Sequence, residues 1–458
     1  MEKQKDAALQ RRKCSRLLLF PLPLQGHINP MIQLAEILHA KGFSITVIQT
    51  KFNALNPEIY PHFTFHTISD GLSDSEASKI NAITLILELN SRCIAPFQCA
   101  LSKLLAESSL QDPIACLISD AILHFTRAVA DSFKLPRVVL RTGGLSSYCA
   151  FSLFPLLIEK GYLPIQDARL EEPVLELPPL KVKDIPMIKS LNLESLVELV
   201  NLMVQETKAS SGLIFNSFEE LEQPALVRLQ DLLSIPIFPI GPFHKYFPAT
   251  SSSLMTQDKS CISWLEKQVH NSVIYVSFGS LAALDEKEFV EIAWGLANSK
   301  HPFLWVVRPG LIAGSEWLEA LPNGFLDTVD GRGLIVKWAP QPEVLAHPAV
   351  GAFLTHNGWN STLESICEGV PMLCMPRFTD QPVNARYVTN VWRVGLALEN
   401  GLDRDKIEMT VKKLMEEKEG EEIRERMLQL KGKASLCLNL GGSSHQSLES
   451  LASFISSF

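Results

Sequence analysis

The densest group of chemically capable side chains lies in the range 338–381. A predicted strand ends at Thr355-His356, and Asn360 and Ser361 open the helix predicted to follow it. The first turn of such a helix offers free backbone N–H groups and the positive end of the helix dipole, which bind phosphate without lysine. This segment therefore predicts a site for a small polyanion such as a diphosphate.

Other side chains of the same segment could hold a nucleotide sugar. Trp338 offers a flat face for a base, and Asp380 and Gln381 offer acceptors and donors for sugar hydroxyls. Each has a structural explanation as well, since a tryptophan is often a core residue and loop residues are often polar. Glu364 could simply complete a capping box with Ser361. Only their joint spacing favours a nucleotide-sugar site.

That spacing resembles the signature of plant family-1 UDP-glycosyltransferases, W-x-P-Q…H…G-x-F…T-H-x-G-W-N-S…E…G-V-P-M…P…D-Q. The resemblance extends to the GHINP run at 26–30, the SFGS run at 277–280 and a Gly-Gly-Ser run near the end. Further similarity, in the ranges 182–185 and 235–243, is to the group that includes cytokinin and steviol-glycoside glucosyltransferases. The resemblance implies an enzyme that transfers a sugar from a UDP-sugar to a small acceptor.

The resemblance also assigns roles to the donor-binding residues. It implies that Trp338 stacks on the uracil and that Ala339 contacts the uracil edge through its main chain. Gln341 and Glu364 are implied to hold the ribose. The implied diphosphate positions are Ser280, His356, Asn360 and Ser361, and the sugar positions are Trp359, Asp380 and Gln381, with Gly358 also in the donor site. A closing glutamine rather than histidine is associated in the family with glucose over galactose.

A candidate base precedes this segment in the chain. His27 follows the first predicted strand, and Asp120 follows a strand predicted over 115–119. Taken alone, a loop histidine is usually solvated and the aspartate could be a helix N-cap. Two strands of one parallel sheet would nevertheless place both side chains at the same edge. A histidine oriented by a carboxylate can take a proton from a hydroxyl, and the family uses its matching positions in that way.

We therefore expect His27 to act as the general base and Asp120 to orient it. Thr142 matches a family position near the donor sugar. The expected reaction inverts the anomeric carbon, needs no metal and no cofactor, and uses UDP-glucose as co-substrate. The Asp403-Arg404-Asp405 run matches the metal motif of other glycosyltransferases, but it opens a charged helix whose dipole explains the carboxylates.

The acceptor side is expected to be apolar. Leu87, Phe151 and Leu153 could line a pocket for a hydrophobic plant metabolite such as a terpenoid or flavonoid, although ordinary helix packing explains them equally well. Some cytokinin N-glucosyltransferases of the family lack the histidine, so His27 favours a hydroxyl or carboxyl acceptor. N-glucosylation and the use of UDP-galactose or UDP-glucuronate stay open alternatives, and a non-catalytic binder of small ligands is a further one.

These site residues are embedded in repeated strand–helix–strand patterns. One pattern has strands at 16–22 and 43–49, and another has strands at 272–278 and 303–307, each pair separated by a helix. Apolar strands that alternate with helices indicate parallel sheets covered on both faces. The predicted fold class is α/β, with two doubly wound Rossmann-like domains facing a cleft in a GT-B architecture.

Predicted domain limits follow from this alternation. The acceptor-binding domain is expected at 1–242, a linker at 243–260 and the UDP-sugar-binding domain at 261–440. A C-terminal helix at 441–458 is expected to pack back on the N-terminal domain. No G-x-G-x-x-G follows any predicted strand, which argues against a nicotinamide-dependent oxidoreductase.

Composition limits the remaining possibilities. A chain of 458 residues is too long for one core, and its net charge of −8 makes nucleic acid an improbable partner. Nine cysteines without a CxxC pair favour reduced thiols and a cytoplasmic location. The apolar run after the basic N-terminal residues is short and holds two prolines, so we predict a buried strand rather than a signal peptide. No membrane insertion is expected, and the protein is predicted to be a monomer.

Overall fold

The computed structural model describes residues 15–77, 80–108, 112–188, 190–247, 253–312, 317–398 and 402–458. These residues form two compact α/β units. The first contains the described residues of Met1–Phe154, Ser190–Pro248 and Cys437–Phe458, and the second contains those of Pro155–Lys189 and Ala249–Leu436. Contacts thus group Pro155–Lys189 with the second unit, whereas the predicted N-terminal domain runs unbroken to residue 242.

The first unit is built on a seven-stranded parallel sheet of order β3-β2-β1-β4-β5-β6-β7. Its strands are β1 (Arg16–Phe20), β2 (Ser44–Thr50), β3 (Thr64–Ile68), β4 (Ile114–Asp120), β5 (Arg137–Arg141), β6 (Gly212–Phe215) and β7 (Ile237–Pro239). The central strands are apolar along their length because helices cover both faces of the sheet. The strand order changes direction between β1 and β4, where Phe20, the last residue of β1, lies opposite Ser119, one residue before the end of β4.

The second unit is built on a six-stranded parallel sheet of order β10-β9-β8-β11-β12-β13. Its strands are β8 (Val273–Ser277), β9 (Phe303–Val306), β10 (Gly333–Val336), β11 (Val350–Thr355), β12 (Met372–Cys374) and β13 (Gly395–Ala397). Here the order changes direction between β8 and β11, which end together at Ser277 and Thr355. Ligands of doubly wound sheets bind at such points, beyond the carboxyl ends of the strands.

Helices connect the strands and cover the sheets. In chain order they are α1 (Gln25–Ala40), α2 (Asp74–Ala77), α3 (Ala82–Arg92), α4 (Ile94–Glu107), α5 (Thr126–Ser132), α6 (Leu145–Ser152), α7 (Phe154–Glu159), α8 (Leu193–Lys208), α9 (Glu219–Leu232), α10 (Ser260–Leu265), α11 (Glu286–Ser299), α12 (Phe325–Val329), α13 (Gln341–Leu345), α14 (Trp359–Glu368), α15 (Gln381–Arg386), α16 (Arg404–Glu416), α17 (Lys418–Leu438) and α18 (Ser443–Ile455). Short 3-10 helices occur at Pro57–Ile59, Asp167–Arg169, Val182–Asp184 and Phe243–Lys245.

The last helix, α18, belongs to the first unit. Its Phe454 ring lies 5.5 Å from that of Phe238 on β7 and also covers Gly212 on β6. Ser444 Oγ donates a hydrogen bond of 2.5 Å to the carbonyl of Gly241. α18 therefore packs on β6 and β7 of a sheet whose first strand begins at Arg16.

Some predicted elements differ in their limits from the observed ones. The first strand was predicted to reach residue 22 but ends at Phe20, because Pro21 and Pro23 cannot donate to a strand ladder. The short strands β3, β6, β7 and β13 were not predicted. Within the predicted linker, 248–252 lie outside the described residues, as do the basic residues before Ser15.

Candidate active site

The predicted base and its carboxylate lie side by side in the first unit. β1 leads directly into α1, which carries His27 in its first turn, and Asp120 is the last residue of the adjacent strand β4. Asp120 Oδ2 lies 2.7 Å from His27 Nδ1. Asp120 is 1% exposed, and its other oxygen accepts a 2.9 Å bond from the N–H of Ile122. The aspartate is thus not an N-cap, since α5 begins six residues later.

Thr142 joins this pair. It follows β5, the neighbour of β4, and its Oγ1 lies 3.1 Å from His27 Nδ1. Because Nδ1 faces both Asp120 and Thr142, Nε2 is the ring nitrogen that remains for a proton from a substrate. The resemblance placed Thr142 near the donor sugar; its hydroxyl contacts the histidine.

A residue that the sequence analysis missed holds the loop after Thr142. The buried carboxylate of Glu222 accepts hydrogen bonds from the N–H groups of Leu145 (3.0 Å) and Ser146 (2.9 Å), at the start of α6. It also accepts a 2.6 Å bond from Ser217 Oγ. Burial raises the pKa of Glu222. Three glutamates lie close together in this part of the sequence, and no pattern distinguishes this one as the helix cap.

The three predicted acceptor-pocket residues have different surroundings. Leu87 is 47% exposed on α3, whereas Phe151 is 9% exposed on α6 and its ring lies 5.9 Å from that of Phe154. Leu153 is half-buried between α6 and α7. Packing against Phe154 explains why Phe151 is apolar. Leu87 is the most exposed of the three and could contact a ligand. The acceptor pocket stays a prediction.

In the second unit, His356 lies between two glycines at the end of β11. A Cβ atom at Gly279, where φ is +67°, would lie 2.7 Å from the ring, and one at Gly358 would lie 2.5 Å from Nε2. Both positions therefore require glycine. Burial lowers the pKa of His356 to about 4, so the imidazole is neutral at physiological pH. A backbone hydrogen bond at Ser277 partly opposes this lowering.

The helix that follows this histidine is the predicted phosphate-binding helix. α14 has ten residues and begins at Trp359, directly after Gly358. Ser361, in its first turn, is 7% exposed. The free N–H groups at the amino end of α14 and the side chain of His356 lie together beyond the apolar strand β11, an arrangement that suits an anion.

The predicted ribose-binding pair is connected by hydrogen bonds. Gln341 Nε2 donates to Glu364 Oε2 (2.7 Å) and to Ser361 Oγ (3.0 Å). Tyr275, which the sequence analysis missed, donates from its buried hydroxyl to Gln341 Oε1 at 3.2 Å and so fixes the amide orientation. Burial raises the pKa of Glu364 to about 7, an effect that the bond from Gln341 partly offsets.

The predicted base-stacking residue is held by its edge. Trp338 Nε1 donates a 3.0 Å hydrogen bond to Ser253 Oγ, and the carbonyl of Trp338 accepts one of 2.9 Å from the N–H of Asp258. Ala339 is 3% exposed. The described end of the predicted linker therefore fixes the indole edge.

Two of the three predicted sugar-binding residues, Asp380 and Gln381, lie at the start of α15. Gln381 Oε1 accepts hydrogen bonds from the N–H groups of Arg377 (2.8 Å) and Phe378 (3.2 Å), which leaves its Nε2 group for a ligand. Arg377 forms two 2.6 Å bonds to Glu288 on α11. Asp380 Oδ2 accepts a 3.0 Å bond from Asn384 on α15. Trp359, the third predicted sugar residue, is 4% exposed.

The segment Pro155–Lys189 also contacts α15 and the turn that precedes it. Arg386 at the end of α15 forms bonds of 2.7 and 3.2 Å to both oxygens of Asp184, and both residues are buried. The N–H of Thr379 donates a 3.0 Å bond to the carbonyl of Met187. We refer to Asp184 and Arg386 as the buried ion pair.

Breaking the buried ion pair is expected to destabilise the second unit. Asp184→Asn leaves the Arg386 charge buried without its counter-charge, which costs about 3 kcal/mol of unfolding free energy. Urea unfolding followed by circular dichroism measures this change. The double variant Asp184→Leu/Arg386→Met removes both charges and should recover most of the loss. A loss below about 1 kcal/mol for Asp184→Asn would contradict this account.

The run Asp403-Arg404-Asp405 forms the start of α16. Asp403 Oδ1 accepts the N–H of Asp405 at 2.9 Å as a helix cap, and Arg404 pairs with Glu291. Across the described ranges, no group of three or more His, Cys, Asp or Glu side chains is arranged to hold a metal ion. Nor does any helix in the described part of the chain have the length and apolar character needed to cross a membrane.

The predicted site residues thus fall into two groups, one in each unit. The first unit brings together His27, Asp120 and Thr142. In the second, the predicted diphosphate residues lie at the direction change of the sheet and the ribose pair is bonded to Ser361, whereas Trp338 follows the edge strand β10. A doubly wound sheet with a helix amino end and a neutral histidine beyond its strands is typical of a unit that binds a nucleoside diphosphate.

Comparison with known proteins gives the family. Residues 15–430 match the family model for UDP-glucoronosyl and UDP-glucosyl transferases, and the chain belongs to this family. It is therefore a UDP-glycosyltransferase, and the resemblance to the plant family-1 enzymes is confirmed. The predicted fold class of two doubly wound Rossmann-like α/β units is confirmed as well.

Relatives match along nearly the whole chain. UDP-glycosyltransferase 76B1 of Arabidopsis thaliana is 53% identical over 96% of this chain and 98% of its own length. Flavonol 3-O-glucosyltransferase UGT76E12 of the same plant is 46% identical over 96% of both. Among solved structures, Phytolacca americana UGT2 complexed with UDP-2fluoro-glucose and pterostilbene has a TM-score of 0.80 and 28% identity, covering 96% of this chain and 99% of that one.

Proposed function

We propose that the protein transfers glucose from UDP-glucose to a hydroxyl or carboxyl group of a small hydrophobic plant metabolite, with inversion at the anomeric carbon. The observation that carries this proposal is the 2.7 Å contact between His27 Nδ1 and the buried carboxylate of Asp120. A base held in this way in the first turn of a helix, beside a carboxylate at the end of a strand, suits an acceptor whose oxygen must lose a proton.

The proposed chemistry uses the free nitrogen of His27. The acceptor hydroxyl gives its proton to Nε2 while its oxygen forms a bond to the anomeric carbon of glucose. The bond between that carbon and the phosphate oxygen breaks, and its electron pair leaves with UDP. Asp120 stabilises the imidazolium formed at His27 because its carboxylate lies against the other ring nitrogen. No metal or cofactor takes part in this proposal.

The second unit would hold the leaving group. UDP leaves with an added negative charge on its terminal phosphate, and the helix amino end of α14 presents N–H groups that are already oriented toward an anion. Trp338 would stack on the uracil, Gln341 and Glu364 would hold the ribose, and Asp380 and Gln381 would hold the glucose. Because Gln381 Oε1 is occupied within its turn, this side chain would act as a donor to a sugar hydroxyl.

The relatives support the choice of glucose and of an oxygen acceptor. The name of the flavonol 3-O-glucosyltransferase specifies glucose and an oxygen of a flavonol, and the Phytolacca structure is of a complex with UDP-2fluoro-glucose and pterostilbene. Which metabolite this protein uses depends on the acceptor pocket. A monomeric state and a cytoplasmic location stay predictions.

Mass spectrometry tests the proposal directly. The protein is incubated with UDP-glucose, UDP-galactose or UDP-glucuronate and with a panel of flavonols, hydroxystilbenes, terpenoid acids and cytokinins. We expect hexose addition from UDP-glucose to an oxygen, and nuclear magnetic resonance of the product should show a β-linkage. Turnover with another UDP-sugar alone would overturn the choice of glucose, and addition only to nitrogen would overturn the oxygen acceptor. Binding of UDP-glucose without turnover of any member of the panel would overturn the proposed class of acceptor.

A further inference from the structure

The second unit contains a buried positive charge that none of the assigned roles uses. Arg308 follows β9 by two residues and is 8% exposed. Arginine stays protonated under all conditions that proteins experience, so this group carries its charge inside the protein. Its burial lowers its pKa, the direction expected where a cation is poorly compensated.

The guanidinium bonds to carbonyl oxygens rather than to a carboxylate. Nε donates to Gly279 (3.0 Å), Nη2 to Ala282 (2.5 Å) and Nη1 to Pro309 (3.1 Å). No carboxylate within the described residues forms an ion pair with it. These bonds satisfy part of the donor fork but supply no negative charge. A buried charge without a counter-charge is costly, and proteins usually keep one only for a reason.

The loop that Arg308 holds is part of the predicted diphosphate site. It connects β8 to α11 and carries Ser280 between the two carbonyls that the guanidinium binds. Gly279, the first of these two residues, lies against the ring of His356. The charge of Arg308 also contributes to the lowered pKa of His356, so its electric field acts at the histidine of the predicted diphosphate site.

We propose that Arg308 is the counter-charge for the diphosphate of the UDP-sugar, acting from beneath the loop 279–282. Arg308 is a positioning residue. Its guanidinium N–H groups hold the carbonyls of the loop, and its positive charge favours the binding of an anion at that loop. The acidic protein thus supplies a cation at its donor site without exposing it. This inference rests on the proposed function, since it presumes that UDP-sugar binds at the second unit.

Titration calorimetry with ligands of rising charge separates this role from a structural one. Uridine, UMP and UDP share the base and ribose contacts but differ in phosphate. We expect Arg308→Gln to weaken UDP binding by at least about tenfold and uridine binding by less than about twofold. Arg308→Lys keeps the positive charge, so this variant should still bind UDP more tightly than uridine by most of the wild-type ratio.

Arg424 provides a matched control in the same unit. It is a partly buried guanidinium that also donates to carbonyls, those of Gly351 (2.7 Å) and Leu414 (3.1 Å), and burial lowers its pKa too. Arg424→Gln should leave both affinities unchanged. Equal losses of uridine and UDP affinity in Arg308→Gln, or no loss of UDP affinity, would overturn the proposal.

A measurement on the unmodified protein covers the case in which Arg308→Gln does not fold. In ¹⁵N-labelled protein the Nε–Hε signal of Arg308, assigned by its absence from the Arg308→Lys spectrum, should shift on addition of UDP and stay in place with uridine. An unchanged signal with saturating UDP would contradict the inference. If the proposed function itself fails, the wild-type protein binds no UDP or transfers no sugar. If only the role of Arg308 fails, the wild-type protein is active and Arg308→Gln binds UDP normally.

Discussion

Replacing His27 with alanine is expected to lower kcat by about 10³-fold while the Kd for UDP changes by less than about twofold. The imidazole is the proposed acceptor of the substrate proton, and without it the hydroxyl must attack while still protonated. The UDP contacts proposed here all belong to the second unit, so this variant should leave them intact. Steady-state kinetics and titration calorimetry measure the two quantities.

Two further variants make this prediction specific. His62 is another histidine of the first unit with a carboxylate partner, since its Nε2 lies 3.0 Å from Glu36. His62→Ala should therefore keep normal kcat. Asp120→Asn should lower kcat by about 10²-fold, because it removes the charge that stabilises the imidazolium.

The His27 and Asp120 effects should not add. When Asp120→Asn is added to His27→Ala, kcat should fall little further, because the aspartate acts through the histidine. Retention of more than about a tenth of the wild-type kcat by His27→Ala would exclude this residue as the base. A full multiplicative effect of the two variants would show that Asp120 has a separate role.

The second large effect is expected from the pH dependence of ribose binding. Glu364 has a pKa of about 7 in the ligand-free protein because it is buried. Ribose hydroxyls donate hydrogen bonds to a carboxylate, so binding favours the ionised form and releases a proton. Affinity should therefore fall as the pH drops below 7, by about 30-fold between pH 8 and pH 5.5.

Uridine is the suitable probe for this effect because it has no phosphate that titrates in the same range. Its Kd is measured by calorimetry between pH 5.5 and pH 8 for the wild-type protein and for Glu364→Gln. The glutamine variant should bind weakly and without this pH dependence. 2′,3′-Dideoxyuridine, which lacks both hydroxyls, should show no pH dependence with either protein. A flat uridine profile for the wild type would contradict the assignment of Glu364 to the ribose.

The sequence was sufficient to predict the elements that carry the site. The strands β1, β4, β8 and β11 are short, largely apolar runs followed by polar residues, as expected of strands in a sheet whose two faces are both covered. The placement of His27 and Asp120 at one sheet edge was also predictable, since the parallel strands of one sheet end at the same edge. That β1 and β4 are direct neighbours was not predictable, because β2 and β3 lie between them in the sequence.

Other features depend on information that no local pattern contains. β7 includes Pro239, which argues against a strand, but it lies at the sheet edge where a missing N–H is tolerated. Nothing near Glu222 or Tyr275 in the sequence points to the groups they contact, 76 and 66 positions away. Arg308 could have been found, because it is a charged residue just beyond an apolar strand.

The place of α18 in the first unit has a consequence for biosynthesis. A ribosome releases the strands β1 to β7 and then all of the donor-binding residues before it releases the helix that covers β7. Folding during synthesis would therefore complete the second unit first, leaving β6 and β7 of the earlier sheet uncovered until α18 emerges. A chain truncated after residue 436 and released from the ribosome should be protease-resistant in its donor-binding half and sensitive near β6 and β7.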